Sequence, residues 1–217
     1  MTLLGRIRRR LVQECGISLS RIQSYVLTPE YRLQVPLAPQ AVIRSIQQGE
    51  EALVQEVWPV KDSDIKARLN RGDLCYIGLL KGKVAHFSWV QREGTHVVTE
   101  AGRRFRILNG DIWIYHCRTA DFAKGFGLYP STLAAIAAEH FSNGSRRIWI
   151  YTSSGNIASQ RGVTKAGFRY AGTLKALRLG RLYVPLGPVP VALQSPSEPE
   201  ASDQASWRQP PDSSSRS

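Results

Sequence analysis

The second half of the chain alternates between strand-like and helix-like hydrophobic patterns, and this alternation constrains the fold most. Asp111–Cys117 is rich in β-branched and aromatic residues, which favours a strand. Leu128–Phe141 and 157–165 carry apolar residues at helical spacing, with Gly167 ending the second helix, and Ile148–Tyr151 is typical of a short buried strand. The order predicts an α/β (mixed, α+β) fold in which helices cover the faces of a mixed sheet.

Further strands flank this core. Leu74–Leu80 and Val84–Val90 are joined by a tight, glycine-containing turn, which predicts a hairpin. The residues that follow the hairpin are polar and include Gly94 and Gly102, which predicts a loop. Residues 168–182 are expected to supply the last strands.

Two helices are expected before the hairpin. Gln40–Gln48 and Asp62–Asn70 both show helix-like spacing of apolar residues. Asp62 or Ser63 is suited to be the N-cap of the second helix, because short polar side chains accept hydrogen bonds from free backbone N–H groups there.

The 217 residues are enough for one domain with short appendages. We place this domain at residues 40–190, after a basic segment at 1–39 that holds the first strand or helix. Residues 191–217 are rich in Ser, Pro, Gln and acidic residues and lack apolar periodicity, which predicts a disordered tail. The cluster Arg6–Arg10 predicts a short basic helix, either packed on the domain or lying on a membrane surface.

The cysteines and the N-terminus favour a cytoplasmic protein. Cys15, Cys75 and Cys117 are far apart, odd in number and without metal-ligand spacing, so we expect reduced thiols and no metal site. The charges of Arg6–Arg10 lie where a secretory signal would carry its apolar run, which argues against such a signal. No stretch approaches the ~18 consecutive apolar residues of a membrane span.

A glycine-rich turn between the strand 111–117 and the following helix is the first candidate site. Gly125 and Gly127 let backbone N–H groups approach an anion, the helix N-terminus adds further donors, and Lys124 adds a charge. The turn is not a P-loop, and a dinucleotide fingerprint would need a third glycine at Pro130. Taken alone, this pattern fits a plain structural turn equally well.

A second motif follows about thirty residues later, and together the two motifs resemble the GNAT N-acetyltransferase superfamily. The cofactor signature Gln/Arg-x-x-Gly-x-Gly/Ala falls on residues 122–127, Phe-Ala-Lys-Gly-Phe-Gly. The second signature, an Asn that opens a helix ending in Gly-Phe, falls on Asn156–Phe168. Residues before Asp111 match this family only in their architecture.

The resemblance implies an acyl-CoA N-acyltransferase fold with a central, mostly antiparallel, splayed sheet. The strand end Tyr115–Cys117 would separate from Ile148–Tyr151, and acetyl-CoA or another acyl-CoA would bind in the opening. Asn156 is also a favoured helix cap, which is its alternative role. The residues that the resemblance assigns to the cofactor are Cys117, Arg118, Lys124, Gly125, Phe126, Gly127, Leu128 and Asn156.

The catalytic residues are less evident than the cofactor site. Phe122 replaces the usual polar residue of the first signature, and Val163 stands where many family members have a tyrosine that protonates the departing thiolate. His116 and His86 are the candidate general bases, since histidine is suited to proton transfer near neutral pH. Tyr115 and His116 are consecutive strand residues, so we expect only one of them to face the cleft.

The function expected from the resemblance is transfer of an acyl group, typically acetyl, from CoA to an amine of a small molecule or sugar. A long-chain acyl transferase that uses an acyl carrier protein, and a non-catalytic acyl-CoA-binding module, remain alternatives. The net charge of +12 also suits nucleic acid, but basic residues outside Arg6–Arg10 are scattered, so this reading is disfavoured. Strand aromatics either line an acceptor pocket or form core: Tyr76, Phe87, Trp89, Trp113, Tyr115, Trp149 and Tyr151.

Overall fold

The computed structural model describes residues 16–30 and 41–194, and within them eight strands form one open sheet. The strands of this sheet are β1 (Ile17–Leu27), β2 (Ala41–Ser45), β3 (Leu74–Leu80), β4 (Lys83–Gln91), β7 (Asp111–Thr119), β8 (Arg147–Ser153), β9 (Arg169–Leu179) and β10 (Leu182–Leu186). Their order is β10-β9-β1-β8-β7-β4-β3-β2, and all neighbours are antiparallel except β7 and β8, which are parallel. The predicted mixed, mostly antiparallel fold is confirmed.

Four helices and a small hairpin cover the sheet within the described residues. The hairpin is β5 (Thr95–Val98) with β6 (Arg103–Arg106), where the sequence predicted a loop. The helices are α1 (Ala52–Val57), α2 (Asp62–Asn70), α3 (Leu128–Ser142) and α4 (Ile157–Lys165). The predictions of α2, α3, α4, the β3–β4 hairpin, β7 and β8 are confirmed.

The core has two faces because β7 and β8 bury alternate residues on opposite sides. Ile112 and Ile114 of β7 pack with Leu133 of α3 and Val163 of α4. On the other face, Trp113 packs with the β5–β6 hairpin, and the neighbouring part of the sheet packs with α1 and α2. Each fully buried aliphatic side chain of this kind contributes about 1.5–3 kcal/mol.

The predicted helix Gln40–Gln48 is wrong: Ala41–Ser45 forms β2, which pairs with β3 at one edge of the sheet. A short apolar run such as Ala41, Val42 and Ile43 does not distinguish strand from helix by periodicity. The free edge of β3 decides the outcome by offering backbone hydrogen bonds.

The cap predicted for α2 also differs. Lys61 is the N-cap and makes no side-chain cap bond, whereas Asp62 and Asp64 lie in the first turn. Two carboxylates near the positive end of the helix dipole are favourable there.

The packed structure extends beyond the expected 40–190 segment at both ends of the described residues. β1 lies between β8 and β9, so residues before position 40 belong to the same sheet. Val191–Leu193 forms a short 3₁₀ turn, and Leu193 is buried among the aromatic residues of one face. The predicted basic helix at Arg6–Arg10 and residues 195–217 of the predicted tail lie outside the described residues.

Within residues 16–30 and 41–194, no helix has the length and apolar character that crossing a membrane requires. The same residues contain no group of three or more His, Cys, Asp or Glu side chains that is placed to hold a metal ion.

Candidate active site

The two parallel strands of the sheet separate halfway along their length. Pairing of β7 with β8 ends at Ile114 and Ile150. Beyond this point Tyr115–Thr119 stays paired with β4, and Tyr151–Ser153 stays paired with β1. The opening between these two segments is called the β7–β8 gap here. The separation implied by the resemblance is confirmed, and it leaves one edge of Tyr115–Thr119 without a strand partner among the described residues.

A bulge at His116 lies where the gap begins. Its backbone is left-handed, with φ +47°, which is uncommon for a residue other than glycine. Trp89 pairs with Tyr115 and Phe87 with Arg118, so β7 has one extra residue against β4. A β-bulge bends its strand and changes the direction of the side chains that follow.

The bulge places Tyr115 and His116 on the same side of the sheet, where the strict alternation expected from the sequence would place them on opposite faces. The guanidinium of Arg68, on α2, lies over the Tyr115 ring at 5.2 Å and donates from Nη1 to Nδ1 of His116 at 2.6 Å. Both side chains therefore reach the α2 side of the sheet. Cys117 instead packs against the core beneath α3 and α4.

The glycine turn, residues 124–128, lies at the N-terminus of α3. Gly125 and Gly127 have φ of +87° and +76°, and a Cβ added at either would meet no atom within 4 Å. Gly127 is the N-cap of α3 and provides no side-chain cap. Among the described residues, no group accepts a hydrogen bond from the backbone N–H of Gly125, Gly127 or Leu128. Free donors beneath open space fit an anion such as a pyrophosphate.

The turn is anchored to the sheet by its apolar residues. Leu128 and Ala123 are buried against Ala85 of β4, and the Ala120 N–H donates to the Ala85 carbonyl at 2.8 Å. This packing holds the free N–H groups close to the β7–β8 gap.

The side chains of Lys124 and Phe126 in the turn, and of Phe122 just before it, are exposed. Lys124 forms an exposed ion pair with Asp121 at 2.6 Å, so its charge is partly neutralised. Phe126 is 60% exposed, and Phe122, which replaces the family's polar residue, is 56% exposed. These two rings offer apolar surface beside the turn.

Asn156 is the N-cap of α4, as its alternative role required. Its Oδ1 accepts a hydrogen bond from the Ser159 N–H at 3.0 Å. The side chain is exposed, and the capping bond uses only its oxygen, so the Nδ2 donors remain available to a ligand.

Tyr129, on the first turn of α3, is a site residue that the sequence analysis missed. Its hydroxyl is hydrogen-bonded to the Ser159 hydroxyl at 3.2 Å and lies beside the Cys117 thiol. The ring fills the space left by Gly162, where an added Cβ would come within 2.5 Å of Tyr129 Cδ1. A glycine inside a predicted helix was the sequence signal for a close approach of this kind.

Val163 is fully buried in the core beneath α3 and α4 and carries no polar group. The tyrosine hydroxyl next to Cys117 therefore belongs to Tyr129 of α3 and not to a residue of α4. Burial and the neighbouring Cys117 hold the pKa of Tyr129 well above its usual value, so the hydroxyl stays protonated.

His86 has no free ring nitrogen. Nδ1 is hydrogen-bonded to the Thr119 hydroxyl and Nε2 to the Ser88 hydroxyl, both at 2.8 Å. Burial lowers the pKa of His86 to about 3. A substrate proton finds no acceptor on this ring, so the geometry gives His86 a structural role in joining β4 to β7.

His116 is held as a neutral ring. Burial, and then the charges of Arg68 and Arg118, lower the pKa of His116 to about 4. Because Arg68 can only donate, Nδ1 of His116 accepts and Nε2 carries the proton. The one lone pair suited to a general base is thus occupied by Arg68.

Cys117 and Arg118 lie on the free edge of β7. Burial raises the pKa of the Cys117 thiol to about 11, so it is not a thiolate nucleophile at neutral pH. Arg118 turns its guanidinium onto the ring of Trp58, at 5.1 Å, and donates to the Cys117 carbonyl at 3.0 Å.

The architecture is similar to that of solved acetyltransferases. Against a GCN5-related N-acetyltransferase from Sphaerobacter thermophilus, the TM-score is 0.56 at 13% identity, over 86% of this chain and 58% of that chain. An acetyltransferase from the GNAT family of Colwellia psychrerythraea gives 0.51 at 11% identity, over 75% and 57%. A Drosophila protein gives a TM-score of 0.53 at 16% identity, over 82% of this chain and 57% of that chain. No protein-family model matches the sequence, and no curated protein matches it.

This chain therefore has the fold of the GNAT acyltransferases, as the resemblance implied. It spans 57–58% of the length of these three solved chains. Identities of 11–16% establish the fold alone, and the chemistry rests on the residues of the site.

Proposed function

We propose that the protein is an acyl-CoA-dependent N-acyltransferase that binds acyl-CoA in the β7–β8 gap. The observation that carries this proposal is the glycine turn. The backbone N–H groups of Gly125, Gly127 and Leu128 have no acceptor among the described residues, lie beneath open space and stand at the end of the gap. Acyl-CoA matches these features, because it has a pyrophosphate that could accept from the free N–H groups and an extended thioester arm that could lie in the gap.

Three groups of residues would hold the cofactor. The free backbone N–H groups of Gly125, Gly127 and Leu128 would bind the pyrophosphate, with the α3 dipole in support. The free backbone edge at Cys117 and Arg118 would bind the pantetheine amides, as an added strand does. The Nδ2 group of Asn156 would donate to the same arm.

The bound cofactor supplies an acyl thioester, and acetyl-CoA is the form to test first. In the transfer, the neutral amine nitrogen forms a bond to the acyl carbon, the carbon–sulfur bond breaks, and the nitrogen loses one proton to solvent, from which Tyr129 regains the proton that it gives to the sulfur. We propose that Tyr129 donates a proton to the departing sulfur, in place of a residue at position 163. The Ser159 hydroxyl, bonded to Tyr129, orients that donor.

We propose that the amine reaches the thioester from the side of the sheet that bears α2. His116 and Tyr115 lie there, at the start of the gap. We propose that His116 donates through Nε2–H to the acyl oxygen or to the acceptor, since its Nδ1 is bonded to Arg68. The free thiols of Cys75 and Cys117 suit the reducing cytoplasm in which we place the reaction.

Binding and turnover test this proposal separately. Isothermal titration calorimetry with CoA and acetyl-CoA is expected to give one site per chain. Release of free CoA thiol from acetyl-CoA is expected to rise when a panel of primary amines is added. Absence of any CoA binding would refute the proposal, whereas binding without thiol release for any amine would leave only an acyl-CoA-binding module.

A further inference from the structure

Arg68 is a partly buried cation without a carboxylate partner among the described residues. Arg44, Arg71 and Arg147 each form an ion pair with an acidic side chain, at 2.5–2.8 Å. Asp64, one helical turn before Arg68, lies close enough to raise the pKa of His116 but forms no ion pair with Arg68. The charge next to the β7–β8 gap is therefore not neutralised by these side chains.

The Arg68 guanidinium is held rigidly by neutral groups. It lies over the Trp89 ring at 5.1 Å and the Tyr115 ring at 5.2 Å, and one of its five N–H donors is bonded to His116. Cation–π contacts hold the charge without cancelling it. Four donors of the planar fork are left for another acceptor, and such a fork matches a carboxylate.

The carboxylates near this cation form no direct pair with it, and His116 adds a further donor. His116 presents Nε2–H, because Arg68 occupies Nδ1. Asp73, the nearby carboxylate, is already bonded to Arg71 and accepts from the Tyr115 hydroxyl. A ligand that enters here therefore meets uncompensated positive charge and N–H donors, which selects an anion.

Two buried polar atoms of the same aromatic cluster also have no partner among the described residues. These atoms are Nε1 of Trp89 and Nε2 of His96. His96 is only 3% exposed and stacks on Trp113 at 4.7 Å, with Tyr115 at 5.4 Å. Unsatisfied buried polar atoms are costly, and they cluster where a ligand or water completes the hydrogen bonding.

We propose that Arg68 binds the carboxylate of the acyl acceptor, so that the acceptor is an amino acid. This inference rests on the proposed acyltransferase function and names its substrate class. In an α-amino acid the amine is two bonds from the carboxylate carbon. Arg68 is one hydrogen bond from His116, which lies at the start of the gap, so a carboxylate on Arg68 brings its amine to the thioester. The surrounding aromatic rings provide an apolar wall for the side chain.

Matched amines with and without a carboxylate test the inference on the wild-type protein. L-Phenylalanine is compared with phenethylamine, and glycine with methylamine, with acetyl-CoA as donor. One charge-assisted pair contributes about 1.5–3 kcal/mol, so kcat/KM is expected to be about tenfold to hundredfold higher for each amino acid. Calorimetry of L-phenylalanine and phenethylamine on the CoA-bound protein is expected to show the same preference in Kd.

The variant Arg68→Gln is expected to lose this preference, measured as the ratio of kcat/KM for L-phenylalanine to kcat/KM for phenethylamine, while keeping its affinity for CoA. Lys66→Gln removes one exposed charge from the same helix and is expected to keep the wild-type preference. Circular dichroism checks that both variants are folded. If Arg68→Gln is unfolded, the comparison of amino acids with matched amines on the wild-type protein tests the inference by itself.

The outcomes separate the two proposals. CoA binding together with equal kcat/KM for amino acids and matched amines would overturn the Arg68 inference and leave the acyltransferase function standing. An unchanged preference in folded Arg68→Gln would also overturn it. Failure to bind CoA would refute the acyltransferase function, and the inference with it.

Discussion

Replacing Gly125 by alanine tests the glycine turn most directly, because the chain contains a matched control. Gly125 has φ +87°, and Gly144, just beyond the other end of α3, has φ +88°. An added Cβ meets no atom within 4 Å at either position. Both substitutions therefore carry the same backbone cost, about 1–2 kcal/mol in the free energy of unfolding, without a steric clash.

The two variants are expected to differ only in ligand binding. A Cβ at Gly125 enters the space where an anion would approach the free N–H groups, whereas Gly144 is remote from them. Loss of one charge-assisted hydrogen bond, about 1.5–3 kcal/mol, raises the Kd for CoA by about tenfold to hundredfold. Gly144→Ala is expected to bind CoA as the wild type does.

Calorimetry with CoA gives the two Kd values, and urea unfolding gives the two free energies. Equal CoA affinity in Gly125→Ala and Gly144→Ala would refute the assignment of the pyrophosphate to this turn. A loss of stability in Gly125→Ala much larger than in Gly144→Ala would show that the turn also makes structural contacts that the open space does not predict.

Three further outcomes are expected. Tyr129→Phe is expected to lower kcat at least tenfold with little change in CoA affinity, since general acid catalysis typically accelerates a reaction about 10²–10⁴-fold. An unchanged kcat would contradict the proposed role of the Tyr129 hydroxyl. Gly162→Ala is expected to lower the free energy of unfolding by about 1–3 kcal/mol, because the added Cβ would lie 2.5 Å from the Tyr129 ring; this clash outweighs the better helix propensity of alanine. In the control Gly155→Ala the nearest atom to the Cβ is 4.0 Å away, so this substitution is expected to be tolerated. The pKa of His86 is lowered to about 3 in the folded protein, whereas an unfolded histidine titrates near pH 6.5. Below pH 6.5 the unfolded chain therefore binds a proton that the folded chain does not bind, so the free energy of unfolding falls as the pH drops from 6.5 towards 3. Urea unfolding is expected to show about 2 kcal/mol less stability at pH 5.0 than at 7.5 from this group, and His86→Gln should lack that share; an identical pH dependence would be the contrary result.

Local patterns in the sequence were sufficient to predict the helices and the turn that surround the proposed cofactor site. The α4 helix begins and ends where its spacing and Gly167 predicted, since capping and periodicity act within a few residues. The same holds for α3 and for the glycine turn, whose left-handed backbone only glycine adopts readily.

The tertiary structure alone decided which side chains meet in the gap. The bulge at His116 depends on the pairing of β7 with β4, which no local pattern encodes, and it turns Tyr115 and His116 towards Arg68. Tyr129 enters the site only because α3 and α4 pack so closely that Gly162 has no room for a side chain. These contacts join residues about 30–48 positions apart, and their geometry follows from strand register and helix packing, not from the identity of neighbouring residues.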